Sequence, residues 1–334
     1  MTNNYGESMK IWDFKKRNVN NPSHKAATKG MKAPFKWAGA KNRMFERYMA
    51  KGFFTTGEPK VFVDMFAGTG IVGQWVAANY PSATIVLNET CTEIISMYRQ
   101  MQKKTYPQWE KEYKNHVAMY SKLNVEDRKK YYYDVRNRYA LAYDTMTPIE
   151  EAASLFYMLQ TGFNGIWQTS DNFNNRYASP AGLMTWKPNG PLFDFVKIKN
   201  YAEYLDRCVL LNDDFEKTAC FIGSDSWFYA DPPYRQSKAK YVSAGDFTEY
   251  DHVRLCDFLK SAHDSGDKCS LSNREDIAFV GSAIRNATMQ NTVSMGWFAD
   301  KFNDDWNVSY FDVKYTAGRH NKGKAGCEVL IKNY

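Results

Sequence analysis

The run WFYADPPY at residues 227–234 joins an apolar segment to a stiff acidic corner, and the predicted fold depends on it. The apolar residues 227–230 are typical of a strand buried in a sheet. The two prolines cannot donate ladder hydrogen bonds, so they end the strand and stiffen the loop. Asp231 and Tyr234 are thereby held at the carboxyl edge of the sheet, where open α/β sheets bind ligands. An ordinary turn is the alternative, because Asp-Pro is common in loops.

Asp231 and Tyr234 suit the recognition of an amino group on a flat ring. A carboxylate accepts two hydrogen bonds from an amine, and a tyrosine ring offers a face on which a nucleobase can stack. The tetrapeptide alone does not separate this role from that of a turn. The interpretation therefore depends on what the rest of the chain places beside it.

A second junction of strand and loop lies at residues 61–73, VFVDMFAGTGIVG. An apolar run becomes a turn with Gly-x-Gly-x-x-Gly spacing, and a helix over 71–79 is predicted to follow. The next predicted strand, 83–87, ends at Asn88-Glu89. Glu89 stands about 20 residues after the turn, where nucleoside-binding folds place an acid on the ribose hydroxyls. A neighbour of a helix N-cap is the alternative role for Glu89.

The spacing of this turn argues against a nicotinamide cofactor. In the nicotinamide fingerprint the first glycine follows the strand directly, whereas here the strand ends in Asp64 and residues 65–67 come between. A carboxylate in that place would repel a pyrophosphate. It suits a ligand that is cationic, or that carries an amine and no phosphate, and S-adenosylmethionine meets both conditions.

Composition narrows the class of protein. The 334 residues are 44% hydrophobic, which suits one large α/β domain with an insertion, or two domains. Lys and Arg number 44 against 37 acids, for a net charge of +7 that is compatible with a polyanionic partner. The six cysteines form no Cys-x-x-Cys pair, which is typical of a reduced cytosolic protein. The five histidines show no i, i+4 pairing, so no metal site is expected. No apolar run approaches 18 residues and the N-terminus is polar, so neither a transmembrane span nor a signal peptide is expected. The expected location is the cytoplasm, or the host cytoplasm for a viral gene.

The middle of the chain has the pattern of a helical insertion. Residues 96–160 are predicted to be largely helical and charged, and Thr147, Pro148 and Glu150 mark a helix start with a capping box. Residues 161–182 then predict loops or a hairpin. Amides, hydroxyls and an arginine on such a hairpin suit the reading of base edges, although any surface loop contains them.

Alternating strands and helices predict a mainly parallel sheet whose C-terminal hairpin is antiparallel at one edge. A strand over 208–211 leads to Asp214-Phe215, an acid and an aromatic that can hold an adenine through its amino group and its face. The other predicted elements are helices over 42–50 and 248–262, a strand over 269–271 that ends at Ser272-Asn273, hairpin arms over 310–315 and 327–331, and a basic turn over 318–326.

In combination and order, these motifs resemble the Dam-type adenine-N6 DNA methyltransferases, which are the D12 class of the alpha group. There the cofactor motifs come first, target recognition second and the catalytic tetrad last. Residues 35–41, FKWAGAK, resemble the family's Phe-Leu-Lys-Trp-Ala-Gly-Gly-Lys, which contacts the methionine end of the cofactor. Residues 64–70, DMFAGTG, resemble its Glu-Pro-Phe-Ala-Gly-Ser-Gly, and residues 231–234 match its Asp-Pro-Pro-Tyr. Residues 328–334 resemble a late structural motif.

The resemblance implies a role for each matching residue, with S-adenosylmethionine as the cofactor and double-stranded DNA as the partner. The implied catalytic residues are Asp231, Pro232, Pro233 and Tyr234. The implied cofactor-binding residues are Phe35, Trp37, Ala38, Gly39, Lys41, Asp64, Phe66, Ala67, Gly68, Thr69, Gly70, Asn88, Glu89, Asp214, Phe215 and Asp231. The expected DNA contacts are Asn164, Ile166, Trp167, Gln168, Arg176, Pro180, Arg128, Lys130, Arg138 and Lys238.

The implied fold is a Rossmann-like α/β methyltransferase with a largely helical target-recognition insertion that carries a hairpin. The catalytic domain is expected over 34–95 and 206–334, the insertion over 96–205, and a basic tail over 1–33. A monomer or weak dimer without metal or membrane contact is expected. One departure concerns specificity: Gln168 stands where GATC-specific members have a guanine-reading Arg, and Gln prefers adenine, so GATC specificity is not expected to carry over.

The chemistry that follows from the resemblance is methyl transfer to an extruded adenine. The target base must leave the duplex before N6 can react. The Asp231 carboxylate and the Pro232 carbonyl are expected to accept the two N6–H bonds while Tyr234 stacks on the ring. Three alternatives stay open: a cytosine-N4 methyltransferase, an RNA adenine methyltransferase, and a catalytically silent DNA-binding homologue.

Overall fold

The computed structural model describes residues 33–37, 39, 41, 44–54, 57–188, 190–235, 247–275, 296–302, 305–315 and 324–334. Its strands are β1 (Val61–Asp64), β2 (Thr84–Asn88), β3 (Cys208–Leu211), β4 (Ser226–Ala230), β5 (Lys268–Glu275), β6 (Asn307–Tyr315) and β7 (Lys324–Lys332). Its helices are α1 (Phe45–Met49), α2 (Ile71–Asn79), α3 (Thr92–Met101), α4 (Tyr106–Lys122), α5 (Val125–Leu141), α6 (Pro148–Thr161), α7 (Phe195–Asp206) and α8 (Glu249–Asp264).

These strands form a seven-stranded sheet in the order β3-β2-β1-β4-β5-β7-β6. The first five strands pair in parallel, and β7 runs antiparallel to both β5 and β6. The prediction of a mainly parallel sheet with an antiparallel C-terminal edge hairpin is therefore confirmed. From β1 the chain adds β2 and β3 on one side, and then returns to add β4 on the other. This reversal leaves a crevice at the carboxyl ends of β1 and β4, which is where open sheets bind ligands.

The two faces of the sheet bury different residues because successive side chains of a strand point to opposite faces. Phe62 joins a core shared with α1 to α7, whereas its neighbour Val63 joins a second core with α8. Tyr98 of α3, Phe156 of α6 and Tyr201 of α7 lie in the same core as Phe62. The helices of the predicted insertion thus pack on the sheet and share its core.

Most predicted elements are present, and their ends differ where pairing or packing extends or shortens them. The helix over 71–79 matches α2, and α6 begins with the predicted capping box at Thr147. The helix expected over 42–50 is only α1, and residues 42 and 43 lie outside the described residues. Pairing with β7 extends β5 to Glu275, so Ser272-Asn273 lies inside that strand and not at its end.

The C-terminal hairpin is longer than predicted, because both arms continue to pair past the expected ends. Its arms are β6 and β7, which pair from Asn307↔Lys332 to Tyr315↔Lys324. Residues 324–326 were expected in the basic turn and belong to β7 instead. The remainder of that turn, residues 318–323, lies outside the described residues, as do residues 1–32 of the predicted basic tail.

Of the loops or hairpin predicted over 161–182, the structure has an irregular loop closed by an antiparallel bridge, Gly162↔Ala181, and the hairpin that the resemblance implied is not formed there. We call residues 162–182 the recognition loop. Left-handed backbone at Asn164 (φ 51°) and Gly165 (φ 68°) interrupts any ladder. The Ser179 hydroxyl replaces a backbone acceptor, since the Gln168 N–H donates to its Oγ over 3.0 Å.

Candidate active site

The acidic corner and the glycine turn lie side by side because β1 and β4 are adjacent. Asp64 at the end of β1 is in register with Tyr229, and the Met65 N–H donates to the Tyr229 carbonyl over 2.9 Å. Asp231 follows two residues later. Burial raises the pKa of Asp64 well above its usual range, and the charge of Asp231 adds to the rise. Among the residues that the structure describes, none donates a hydrogen bond to the buried Oδ1 of Asp64.

Asp231 forms an ion pair with Lys41, which belongs to the segment FKWAGAK at residues 35–41. Lys41 Nζ lies 2.9 Å from Asp231 Oδ1, and the Ser272 hydroxyl donates to the same oxygen over 3.1 Å. Burial raises the pKa of Asp231 to about 6, while the ion pair with Lys41 limits the rise. Burial also lowers the pKa of Lys41, but the facing carboxylates outweigh it, so that pKa lies well above its ordinary value.

The two prolines of the corner are fixed by a side chain of β5. The Asn273 Nδ2 amide donates to the Pro232 carbonyl over 3.0 Å, and it lies 3.5 Å from the Pro233 carbonyl. Asn273 is fully buried. The loop that carries Asp231 is therefore held from the neighbouring strand as well as by its own prolines.

Tyr234 is oriented by a buried glutamate of β7. Its hydroxyl donates to Glu328 Oε1 over 2.5 Å, and the Tyr48 hydroxyl donates to Glu328 Oε2 over 3.2 Å. Lys41 Nζ lies 3.7 Å from Glu328 Oε2 and 5.3 Å from the centre of the Tyr234 ring. We call Lys41, Tyr48, Asp231, Tyr234 and Glu328 the corner cluster. From the sequence Glu328 was expected to have only a structural role, and its contact with Tyr234 was not predicted.

The glycine turn takes a left-handed backbone at Gly68 (φ 48°) and Gly70 (φ 60°), which favours glycine. Glu89 holds the turn on one side: its carboxylate accepts from the N–H groups of Gly68 and Cys91, each over 3.0 Å. Burial raises the pKa of Glu89, and these backbone donors oppose the rise. Asn88 is fully buried and donates to the Met65 carbonyl over 3.2 Å. Thr69 is buried, and so is Ala67, whose N–H donates to the Asn88 carbonyl over 2.8 Å.

Three buried tyrosines hold the other side of the same turn. Tyr98 of α3 donates to the Gly68 carbonyl. Tyr201 and Tyr204 of α7 donate to the carbonyls of Thr69 and Gly70, over 2.7 and 2.9 Å. The carbonyl groups of the turn are thus held by tyrosine hydroxyls of α3 and α7. These three tyrosines were not predicted from the sequence. The sequence feature that could have indicated them is the i, i+3 spacing of Tyr201 and Tyr204, which puts both on one helix face.

Of the segment at residues 35–41, some residues lie in the core and others lie near the glycine turn. Phe35 is buried against Phe156 and Tyr201, so its ring belongs to the core. Trp37 bridges two regions. Its ring centre lies 5.6 Å from that of Trp167, and a Cβ added to Gly68 would lie 2.9 Å from its Nε1. Gly39 is exposed with φ 84°, and Ala38 lies outside the described residues.

An aromatic wall lies beyond the end of β3. Phe215 is buried, with its ring centre 5.7 Å from that of the half-buried Phe66. Asp214 Oδ1 accepts from the Glu216 N–H at the start of the 3₁₀-helix Phe215–Phe221, and it pairs with Arg254 over 2.9 Å. The Asp214 carboxylate is therefore already engaged within the protein.

The recognition loop exposes some expected DNA contacts and buries others. Asn164 and Gln168 are exposed, and Ile166 and Pro180 are half-buried. Trp167 is only 9% exposed and packs against Trp37 and Tyr177, so its role in the structure is internal packing. The exposed apolar side chains around this loop, which the sequence analysis did not single out, are Phe163, Leu183 and Trp186.

Four of the basic residues expected to contact DNA have partners within the protein. Arg176 pairs with Glu151 and lies over the rings of Tyr139 and Tyr143. Arg128 donates to the carbonyls of Tyr120 and Met184. The exposed pairs are Lys130 with Asp127 and Arg138 with Glu150, and Lys238 lies outside the described residues. Burial and these partners give Arg128 and Arg176 structural roles, which the sequence analysis did not foresee.

In the described part of the chain, no helix combines the length and the apolar character that a lipid bilayer requires. In the same ranges, His, Cys, Asp and Glu side chains form no group of three or more that suits a metal ion.

Comparison with known proteins matches residues 37–297 to the family model of the D12 class N6 adenine-specific DNA methyltransferases. The type II methyltransferase M.MjaIII of Methanocaldococcus jannaschii is 24% identical over 78% of this chain and 91% of that protein. The type II methyltransferase M1.LlaDCHI of Lactococcus lactis subsp. cremoris is 26% identical over 90% of this chain and 95% of that protein. The retron Ec67 DNA adenine methylase of Escherichia coli is 25% identical over 77% of this chain and 82% of that protein. The matched family segment includes the glycine turn and the acidic corner.

Proposed function

Because this chain belongs to the D12 class of N6 adenine-specific DNA methyltransferases, we propose that its acidic corner is the catalytic site and that the crevice beside β1 holds the cofactor. The chain is a site-specific DNA adenine methyltransferase that uses S-adenosylmethionine. One observation carries the residue assignment. The register Asp64↔Tyr229 sets the end of the glycine-turn strand beside the strand that delivers Asp231.

The residues around the glycine turn fit a cationic cofactor with an amine and a ribose. Asp64 presents a buried carboxylate oxygen that receives no hydrogen bond from the described part of the chain, and a positively charged ligand beside it would offset the cost of its burial. Glu89 already accepts two backbone N–H bonds, and each carboxylate oxygen keeps lone-pair capacity for a ribose hydroxyl. Phe66 offers a half-buried ring for the adenine. Bound there, S-adenosylmethionine supplies an electrophilic methyl group.

The corner positions the amino group of an extruded adenine. The Asp231 carboxylate and the Pro232 carbonyl accept its two N–H bonds. Asn273 occupies one lone pair of that carbonyl and leaves the other for the base. Tyr234 stacks on the ring of the base, and the contact with Glu328 fixes the direction of its phenol. Held in this way, the N6 lone pair points out of the plane of the adenine ring.

Asp231 contributes electrostatic stabilisation in addition to position. With a pKa of about 6 it is mostly ionised near neutral pH. Positive charge develops on N6 during transfer, so the attraction to Asp231 is stronger in the transition state than in the ground state. The proton that N6 then loses can pass to this carboxylate. Lys41 keeps the carboxylate ionised in a buried setting.

For DNA recognition we propose that the insertion at 96–205 reads the target through its recognition loop. The exposed Asn164 and Gln168 are the side chains available for base edges, and Gln suits adenine. Because the substrate is DNA, a cytoplasmic location follows, or the host cytoplasm for a viral gene. We further propose that the enzyme acts as a monomer or weak dimer.

Identification of the methylated nucleoside tests this function. Duplex DNA, single-stranded DNA and RNA would be incubated with the purified protein and S-adenosylmethionine, then digested and analysed by mass spectrometry. The expected product is N6-methyladenine in the duplex. N4-methylcytosine as the product, methylation confined to RNA, or binding of DNA without any methyl transfer would each overturn the proposal.

A further inference from the structure

We propose that Glu328 is a positioning residue for methyl transfer: it fixes the phenol of Tyr234 and shares Lys41 with Asp231. The inference rests on the function proposed above. Glu328 lies on β7, beyond the segment 37–297 that the family model matches. Tyr234 lies 94 positions earlier in the chain, so the contact depends on the C-terminal hairpin.

The two carboxylate oxygens of Glu328 have separate partners. Oε1 accepts from the Tyr234 hydroxyl over 2.5 Å, whereas Oε2 accepts from Tyr48 over 3.2 Å and lies 3.7 Å from Lys41 Nζ. Glu328 is only 3% exposed. A carboxylate buried this deeply is unfavourable unless charges and donors satisfy it. Its partners include Tyr234, Tyr48 and Lys41, and of these Tyr234 and Lys41 belong to the proposed catalytic machinery.

The contact with Glu328 determines where the Tyr234 ring lies. The prolines before Tyr234 and the Asn273 amide fix its backbone, and Glu328 fixes the far end of its side chain. A ring held at both ends has little rotational freedom. A stacking surface that is already in place spares the flipped base the entropy of ordering it.

Glu328 also sets the electrostatic environment of Asp231. Lys41 Nζ lies between the two carboxylates, 2.9 Å from Asp231 and 3.7 Å from Glu328. Burial raises the pKa of Asp231, Lys41 opposes the rise, and the charge of Glu328 adds to it. Among the described residues, the other titratable groups near this pair include Tyr48 of α1, Asp64 of β1, Tyr229 of β4, Tyr234 of the corner and Arg274, which stands opposite Glu328 in the register of β5 and β7.

Replacement of Glu328 with glutamine separates charge from position. Glu328→Gln keeps an oxygen that can accept from Tyr234 and removes the negative charge near Asp231. The acidic limb is the part of the pH–rate profile where the rate of single-turnover methyl transfer falls as the pH drops. It should then move to lower pH by about one unit, which is the low end of the pKa shifts that a neighbouring charge causes. Glu328→Ala removes the acceptor as well, so its transfer rate should fall by about tenfold or more with little change in the KM for S-adenosylmethionine. A merely structural glutamate predicts no movement of the limb.

Glu93→Gln is a matched control. Glu93 is a buried carboxylate of α3 that also accepts from a tyrosine hydroxyl, that of Tyr139 over 3.1 Å, away from the corner cluster. Its replacement should leave the acidic limb where it is in the wild type. A shift in Glu93→Gln equal to that in Glu328→Gln would show a general effect of lost buried charge and would overturn the proposal.

Tyr234→Phe tests the same link from the other side and does not depend on how well Glu328→Ala folds. At a pH above the acidic limb, its rate loss should resemble that of Glu328→Ala, and the double variant should be no slower than either, because both changes break the contact between the Tyr234 phenol and residue 328. Additive losses, or an unmoved limb in Glu328→Gln, would overturn the role of Glu328. Formation of N6-methyladenine by the wild type is established first, so these outcomes count against Glu328 alone.

Discussion

Replacement of Lys41 with glutamine should move the pH dependence of methyl transfer upward, because Lys41 is the counter-ion of Asp231. Its ammonium lies 2.9 Å from Asp231 Oδ1 and limits the rise in pKa that burial causes. Asp231 must be ionised to stabilise the positive charge that develops on N6 and to take its proton, so activity falls as the pH drops through its pKa. Without Lys41 the carboxylate also faces Glu328 unscreened, which adds to the rise.

The size of the shift follows from the distance and the burial of the pair. An opposite charge this close lowers a carboxyl pKa by about 1 to 3 units, and its removal should raise the acidic limb by a similar interval. A pKa of about 6 leaves roughly nine-tenths of Asp231 ionised at about pH 7. After a rise of about two units only about a tenth would be ionised, so the rate at about pH 7 should fall roughly tenfold and recover near pH 9.

Single-turnover transfer of a labelled methyl group to a duplex oligonucleotide, followed from about pH 5 to 9.5, measures the limb without interference from product release. Lys60→Gln is the control, since Lys60 is largely exposed and pairs with Asp225 at the surface. Its profile should match the wild type. A Lys41→Gln profile with the limb unmoved, or a loss that is uniform and does not recover at high pH, would refute the reasoning.

Three further variants test the cofactor pocket and the recognition loop. Tyr201→Phe removes a donor to the glycine turn and should raise the KM for S-adenosylmethionine several-fold at nearly constant kcat. Its control is Tyr80→Phe, which loses a buried hydrogen bond to the Phe54 carbonyl and should leave that KM unchanged. Glu89→Ala should raise the same KM by about tenfold or more, and an unchanged KM in steady-state assays would remove Glu89 from the cofactor site. Gln168→Ala should broaden the set of methylated sequences in long-read mapping while cofactor binding is unchanged; a wild-type pattern would mean that the recognition loop does not read DNA through this residue.

Contiguous patterns made much of the fold predictable. The apolar runs before Asp64 and Asp231 are short and are bounded by glycine or proline, so both strands and their functional ends could be read locally. The parallel order followed from the alternation of strands and helices. Strand lengths were less predictable, because β5 and β7 extend as far as their partners allow, and those partners are distant in sequence.

The internal contacts of the site were much less accessible from sequence. The bond between Tyr234 and Glu328 joins the corner to the last strand, and no local pattern marks it. Arg176 was expected to contact DNA because its charge is visible in the sequence, whereas its ion pair with Glu151 and its tyrosine neighbours are not. The recognition loop failed as a hairpin because its polar residues carry no alternating apolar pattern that would specify a strand register.

The most direct test of the central claim compares the wild type with Asp231→Ala in one single-turnover experiment on duplex DNA. Calorimetric titrations would first establish that the variant binds both S-adenosylmethionine and the duplex. We predict that the wild type forms N6-methyladenine and that the variant, with both ligands bound, forms none above background. Methylation by Asp231→Ala at a rate near that of the wild type would contradict the assignment of the acidic corner as the site of transfer.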